Sequence, residues 1–148
     1  MIDRNVRIYD IFHDPQQGIL WVGTDGQGAL MYSRKQDIAT NLLLGSLSPN
    51  LNRQVRSIMT DTQGDLWFGT KGDGLLHISR YDEGIKPEKT EVIAPEGRQK
   101  ATDYRKWERE FHVYILKQSR YYNGFWLGTG TPGLYFYSYD DHTLQQVE

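Results

Sequence analysis

The stretch "DTQGDLWFGTKGDGLLHIS", Asp61–Ser79, decides the fold. Its centre, Leu66-Trp67-Phe68, is apolar at three successive positions. A strand with one wet face alternates apolar and polar residues, so a strand without alternation has to be covered on both sides. Glycines bracket this run, in "TQGD" before it and "KGDG" after it. They supply the positive-φ positions that hairpin turns require, and Asp61 is placed to bond the turn backbone. The unit therefore reads as strand, turn, doubly covered strand, turn, strand.

The chain writes this unit three times: "IYDIFHDPQQGILWVGTDGQGALMYS" (Ile8–Ser33), "VRSIMTDTQGDLWFGTKGDGLLHIS" (Val55–Ser79) and "VYILKQSRYYNGFWLGTGTPGLYFYS" (Val113–Ser138). The aligned tryptophans, Trp21, Trp67 and Trp126, are 46 and 59 residues apart. A period in the forties with short apolar runs is the sequence form of propeller blades, the third preceded by an insertion of roughly a dozen residues. Ile8 and Ile11, Val55 and Ile58, and Val113 and Leu116 mark the first strands. "DIATNLLL", "KTEVIA" and "TLQQVE" supply the outer fourth strands. The expected fold is all-β: a β-propeller segment of three four-stranded antiparallel blades, a piece of a larger propeller. The blades span 5–45, 54–95 and 111–148, with a charged insertion over 80–110. Trp21, Trp67 and Trp126 are expected to fill the space between blades, and Gly23, Gly69 and Gly128 to let a neighbouring backbone approach.

Composition narrows the function. The 148 residues carry 17 basic and 19 acidic groups, a net charge of -2, which gives no pull toward nucleic acid or an anionic membrane. Cysteine is absent, so disulfides are excluded while the compartment stays open. No apolar run is long enough to span a bilayer, so this segment is expected to make no direct membrane contact. "MIDRNVRIYDIF" has no apolar core and reads as no secretory signal.

"VRSIMTDTQGDLWFGTKGDGLLHIS" resembles the two-component regulator propeller repeat. The first unit matches it apart from one extra turn residue in "DPQQG" and Ala29 after Gly28. "GSLSPNLNRQVRSI", Gly45–Ile58, resembles the linker that precedes each repeat. The third unit departs, with Ser119 or Arg120 at the turn Asp position and "GTGTPGL" at the second turn. The resemblance implies the periplasmic, ligand-sensing input region of a hybrid two-component sensor histidine kinase. The kinase and the membrane anchor would lie elsewhere in the protein, and many members sense glycans. It implies binding and signal transmission rather than catalysis in this segment, and a possible oligosaccharide ligand. Three blades leave two apolar faces, for which the expected partners are other propeller blades or copies of the chain itself.

A catalytic or cofactor site finds little support. His13, His77, His112 and His142 are scattered without ligand spacing, so neither a metal nor a cofactor is expected. No nucleotide-binding or nucleophile motif occurs. Propeller lyases of the streptogramin type, with G-x-L-W-like blades and histidines at the funnel, are one alternative; a scaffold used only for oligomerisation is another. The non-repeating feature is Arg80–Glu110, whose charges are mixed in sign. "ATDYRKWEREF" has the pattern of a short helix capped by Thr102 or Asp103, with Trp107 and Phe111 on one side. In a four-stranded meander the second hairpins and the blade crossovers emerge on one face. The expected ligand-binding residues are therefore Arg105, Trp107 and Arg109 of the insertion, with Asp25, Lys71 and Asp73 of the second hairpins.

Overall fold

Apolar runs separated by glycine turns fold into three separate sheets. The computed structural model describes residues 5–33, 38–42, 54–95, 111–130 and 133–147. The first sheet holds β1 (Ile8–Asp14), β2 (Ile19–Thr24), β3 (Ala29–Ser33) and β4 (Ile38–Leu42). The second holds β5 (Val55–Thr60), β6 (Leu66–Thr70), β7 (Leu75–Ile78) and β8 (Thr90–Ile93). The third holds β9 (Val113–Gln118), β10 (Gly124–Thr129), β11 (Leu134–Ser138) and β12 (Thr143–Gln146). Each sheet is an antiparallel meander in chain order, the arrangement of a propeller blade. The first strands β1, β5 and β9 lie side by side along one inner edge. Within the charged stretch, residues 80–95 form 3-10 turns at Tyr81–Glu83 and Pro87–Lys89 and then the outer strand β8. The expected helix over "ATDYRKWERE" lies outside the described residues.

Polar side chains close the turns in matching ways. In the first hairpins, Asp14 Oδ1 accepts from the N–H of Gln16 and Gln17, and Asp61 Oδ1 from Gln63 and Asp65. Ser119 Oγ takes over in the third blade, accepting from Tyr121 and Tyr122. In the second hairpins the threonine of each Gly-Thr pair donates to the carbonyl four residues on: Thr24 to Gly28 at 2.7 Å, Thr70 to Gly74 at 2.7 Å and Thr129 to Gly133 at 2.6 Å. Gly74 has φ +85°, a left-handed conformation, and a Cβ there would lie 2.9 Å from the Ile93 carbonyl oxygen.

Two apolar layers join the blades. Trp21, Ala29, Val55, Ile58, Phe68 and Leu76 belong to the layer between blades 1 and 2. Trp67, Leu75, Val113, Phe125, Leu127 and Tyr137 belong to the layer between blades 2 and 3. Trp21 and Trp67 reach toward the following blade: Trp21 meets Phe68 edge-on at 5.6 Å, and Trp67 meets Phe125 and Tyr137 at 4.8 Å. Beside them, a Cβ on Gly23 would stand 2.8 Å from the Val55 carbonyl oxygen, and one on Gly69 would stand 2.9 Å from that of Val113. These two glycines set the blade spacing.

The three tryptophans occupy matching places, as expected, but Trp126 is less enclosed than the other two. Trp21 and Trp67 are fully buried, while Trp126 is half-buried, packed on Phe136 and Tyr122 of its own blade. No following blade covers it among the described residues. The same asymmetry reaches its neighbours. Leu134 is 43% exposed where its counterparts Ala29 and Leu75 are fully buried. On the opposite end, Ile8 and Ile11 are 51% and 61% exposed, against 0% and 3% for Val55 and Ile58.

Gly69→Ala is expected to destabilise the chain by about 1–3 kcal/mol, the cost of overpacking a tight core. Gly128→Ala is expected to cost far less in the isolated chain, because a Cβ there meets only Ile115 of its own blade, at 3.4 Å. Chemical denaturation of the two variants side by side checks both.

Candidate functional site

Each first strand carries a bulge at the same repeat position. The register of β1 on β2 skips Tyr9, that of β5 on β6 skips Arg56, and that of β9 on β10 skips Tyr114. A bulge leaves one residue unpaired in the ladder and re-aims its side chain. Here three re-aimed side chains from three blades meet. The Arg56 guanidinium carbon lies 4.2 Å from the Tyr9 ring centre and 4.9 Å from that of Tyr114. Such stacking covers the faces of the guanidinium and leaves its N–H edge for in-plane hydrogen bonds.

The second hairpins rise beside this cluster. In every blade the residue after Gly-Thr donates its N–H to the carbonyl just before a first strand: Asp25 to Arg7 at 2.9 Å, Lys71 to Gln54 at 3.1 Å and Gly130 to His112 at 3.1 Å. Two isolated bridges, Asp25 with Gln54 and Asp73 with Phe111, fasten hairpins to the crossovers that follow them. At Gln54 and Phe111, where the described residues resume, the chain runs beside the second hairpins, as expected of hairpins and crossovers on one face. Asp25 Oδ1 accepts from Gln54 Nε2 at 2.6 Å, and the Asp25 carboxylate is a hydrogen-bond partner of the Tyr9 hydroxyl. Burial, aided by that Asp25 bond, raises the Tyr9 pKa above the usual phenol value.

The mouth of the inner edge is thus lined by Tyr9, Asp25, Gln54, Arg56, His112 and Tyr114, with Lys71 and Arg7 near enough to act electrostatically on His112 and Tyr9 respectively. Arg56 Nε and His112 Nδ1 are both buried and make no hydrogen bond among the described residues. No carboxylate lies within salt-bridge distance of Arg56 among the described residues, where the ion pairs involve His77, Arg80 and Lys89. Burial lowers the His112 pKa below the ordinary imidazole value, and the charges of Lys71 and Arg56 add to the effect.

Of the residues expected from sequence, Asp25 and Lys71 stand at this mouth. Asp73 is buried inside its hairpin, its N–H donating to Thr70 Oγ1 at 3.1 Å. Arg105, Trp107 and Arg109 lie outside the described residues. Sequence reasoning missed Tyr9, Arg56, Tyr114 and His112. The available signal was positional: "IYD", "VRS" and "VYI" place Tyr9, Arg56 and Tyr114 at one repeat position.

Two further features lie toward the other end of the blades. A cleft of about 490 Å³ opens between the far halves of the first strands, lined by Asp10, Phe12, Met59, Thr60, Lys117 and Arg120 among others. Asp61, Asp65 and His77 bring one possible ligand atom each within 4.8 Å, although their sequence spacing gave no hint of it. Every one of these groups is already engaged. His77 stacks on Trp67 at 4.0 Å and bonds Asp65 and Glu91 at 2.8 Å, while Trp67 Nε1 donates to Asp61 Oδ2. The arrangement braces blade 2. The carboxylates around it, together with burial as the main cause, push the Tyr137 pKa up to about 12.

Known proteins agree with the blade reading. Residues 50–72 match the family model described as Two component regulator propeller, so the second blade carries that repeat. No curated protein matches the chain in sequence. Among solved structures, the extracellular domain assigned to the hybrid two component system BT3049 from B. thetaiotaomicron matches over all of this chain and 20% of its own, at 14% identity and a TM-score of 0.69. That of BT4673 from the same organism matches 95% of this chain and 16% of its own, at 19% identity and a TM-score of 0.63. The structure of U3-55K, at 8% identity and a TM-score of 0.62, also matches, over 98% of this chain and 40% of its own. The chain spans a fifth or less of the first two, and the likeness at these identities establishes the propeller architecture. No helix among the described residues is long and apolar enough to cross a membrane.

The depressed His112 pKa has a consequence for stability. Below about pH 6.5, the ordinary imidazole value, the unfolded chain takes up a proton at this residue that the folded chain refuses, so stability falls with acidification until the folded pKa is reached. His112→Gln is expected to remove that contribution, giving a flatter dependence of the melting temperature on pH between about 6.5 and 5.

Proposed function

We propose that this chain is part of the extracytoplasmic, periplasmic input propeller of a hybrid two-component sensor histidine kinase, acting by ligand binding and blade packing rather than by catalysis. The observation that carries the reading is the two-component regulator propeller repeat at residues 50–72, on the blade that the described residues cover on both faces. The mouth formed by Tyr9, Arg56 and Tyr114 adds a place for a ligand at the point where three blades meet. A ligand held there touches every first strand. It would bias the relative tilt of the blades, and so the geometry passed on toward the membrane, through its differential affinity for two arrangements. An oligosaccharide suits such a mouth, which offers rings, hydroxyls and amides together.

The second part of the proposal concerns the end faces. Leu134, Trp126 and Gly128 repeat a surface that is closed at Ala29, Trp21 and Gly23 and again at Leu75, Trp67 and Gly69. A blade of the same repeat type covers it, from the same protein or from another copy.

Disrupting the gene in its native bacterium and comparing transcripts across purified polysaccharides tests the sensor role. Loss of induction by one class of polysaccharide is expected, and an unchanged response to all of them counts against sensing. For the end faces, the isolated chain is expected to sediment as a concentration-dependent oligomer at micromolar concentrations. A persistent monomer that binds no hydrophobic dye would count against the blade partner.

A further inference from the structure

Arg56 stands out among the charged groups at the mouth. Arg56 is held by aromatic faces and has no carboxylate within salt-bridge distance among the described residues. Asp25, the acidic group beside Tyr9, is occupied by Gln54 and by the Tyr9 hydroxyl. Arg56 Nε and His112 Nδ1 are buried without hydrogen-bond partners among the described residues, and both residues flank the ring of Tyr114. Lys71 and Arg56 both act on His112 electrostatically. Arginine fixed in a plane by rings is suited to a planar or tetrahedral oxyanion, which accepts from two adjacent N–H groups at once.

We infer that this mouth binds an oxyanion, a carboxylate or sulfate group carried on a polar ligand, in the plane of the Arg56 guanidinium with His112 beside it. The inference rests on the reading of the mouth as a ligand site and narrows it to anionic ligands. The bound anion offsets the Arg56 charge, which no described carboxylate pairs with. It also favours the imidazolium form of His112, so binding takes up a proton and tightens as pH falls. The groups that set this balance are Arg56, Lys71 and Tyr114 around His112, and Arg7 and Asp25 around Tyr9.

The test is a nuclear magnetic resonance titration of the full-length protein with sodium sulfate, sodium glucuronate and uncharged glucose, ionic strength being held constant with chloride. Sulfate and glucuronate distinguish the two oxyanion types. The expected result is saturable shifts centred on the amides of residues 56, 112 and 114 with at least one anion, none with glucose, and tighter binding at pH 5.5 than at pH 8. Arg56→Gln should weaken binding at least tenfold, while Arg80→Gln, at an exposed arginine paired with Glu83, should leave it unchanged. Absence of saturable shifts, shifts centred elsewhere, or full binding by a folded Arg56→Gln would overturn the inference. Should that variant fail to fold, the location of the shifts in the parent decides. Loss of anion binding with polysaccharide induction intact would discard the anion while leaving the sensor role standing. Anion binding without induction would do the reverse.

Discussion

Blade spacing in this protein is fixed by backbone meeting backbone. At Gly23 and Gly69 the next blade's first strand comes so close that a single Cβ would fall inside contact distance of a carbonyl oxygen. Everything else follows from that approach. It brings Trp21 and Trp67 within reach of the rings of the following blade and presses the flanking aliphatic side chains into a dry layer. It also brings first-strand edges near enough for side chains to satisfy the neighbour's backbone. Asp10 accepts from the N–H of Ile58 at 2.8 Å, and Ser57 accepts from that of Leu116 at 3.0 Å. An inner strand has one edge without a ladder partner, so such acceptors relieve donors that would otherwise be buried unpaired.

The same approach creates the mouth. Bulges at Tyr9, Arg56 and Tyr114 turn one residue per blade out of the regular pleat, and close spacing lets the three stack. Rigid scaffold and candidate site are therefore one construction: the residues between the apolar pairs of the first strands are those that meet at the inner edge.

Much of this was legible in the sequence because repetition amplifies weak signals. Trp67 alone is an aromatic in a strand; Trp21, Trp67 and Trp126 in one setting are a blade motif. Asp14 and Asp61 read as turn formers for the same reason. The candidate site was harder. Tyr9, Arg56 and Tyr114 share a position but differ in residue type, and their meeting depends on bulges that strand periodicity does not register. The His77 brace joins a turn, a third strand and a fourth strand, so its partners Asp65 and Glu91 are close only after folding. The half-burial of Trp126 is a matter of what stands beside the blade, which no property of "GFWLGT" encodes.

Ile115 occupies in the third blade the place of Asp10 and Ser57. The two ends of the segment are unlike: one presents Gly128 with the exposed Ile115 beside it, the other the exposed Ile8 and Ile11. Were the proposed blade-on-blade contact continued by a further copy, each pairing would set one end against the other and be heterologous. Such an association would close by rotation or continue as an open helical array, according to the angle set at Gly23 and Gly69.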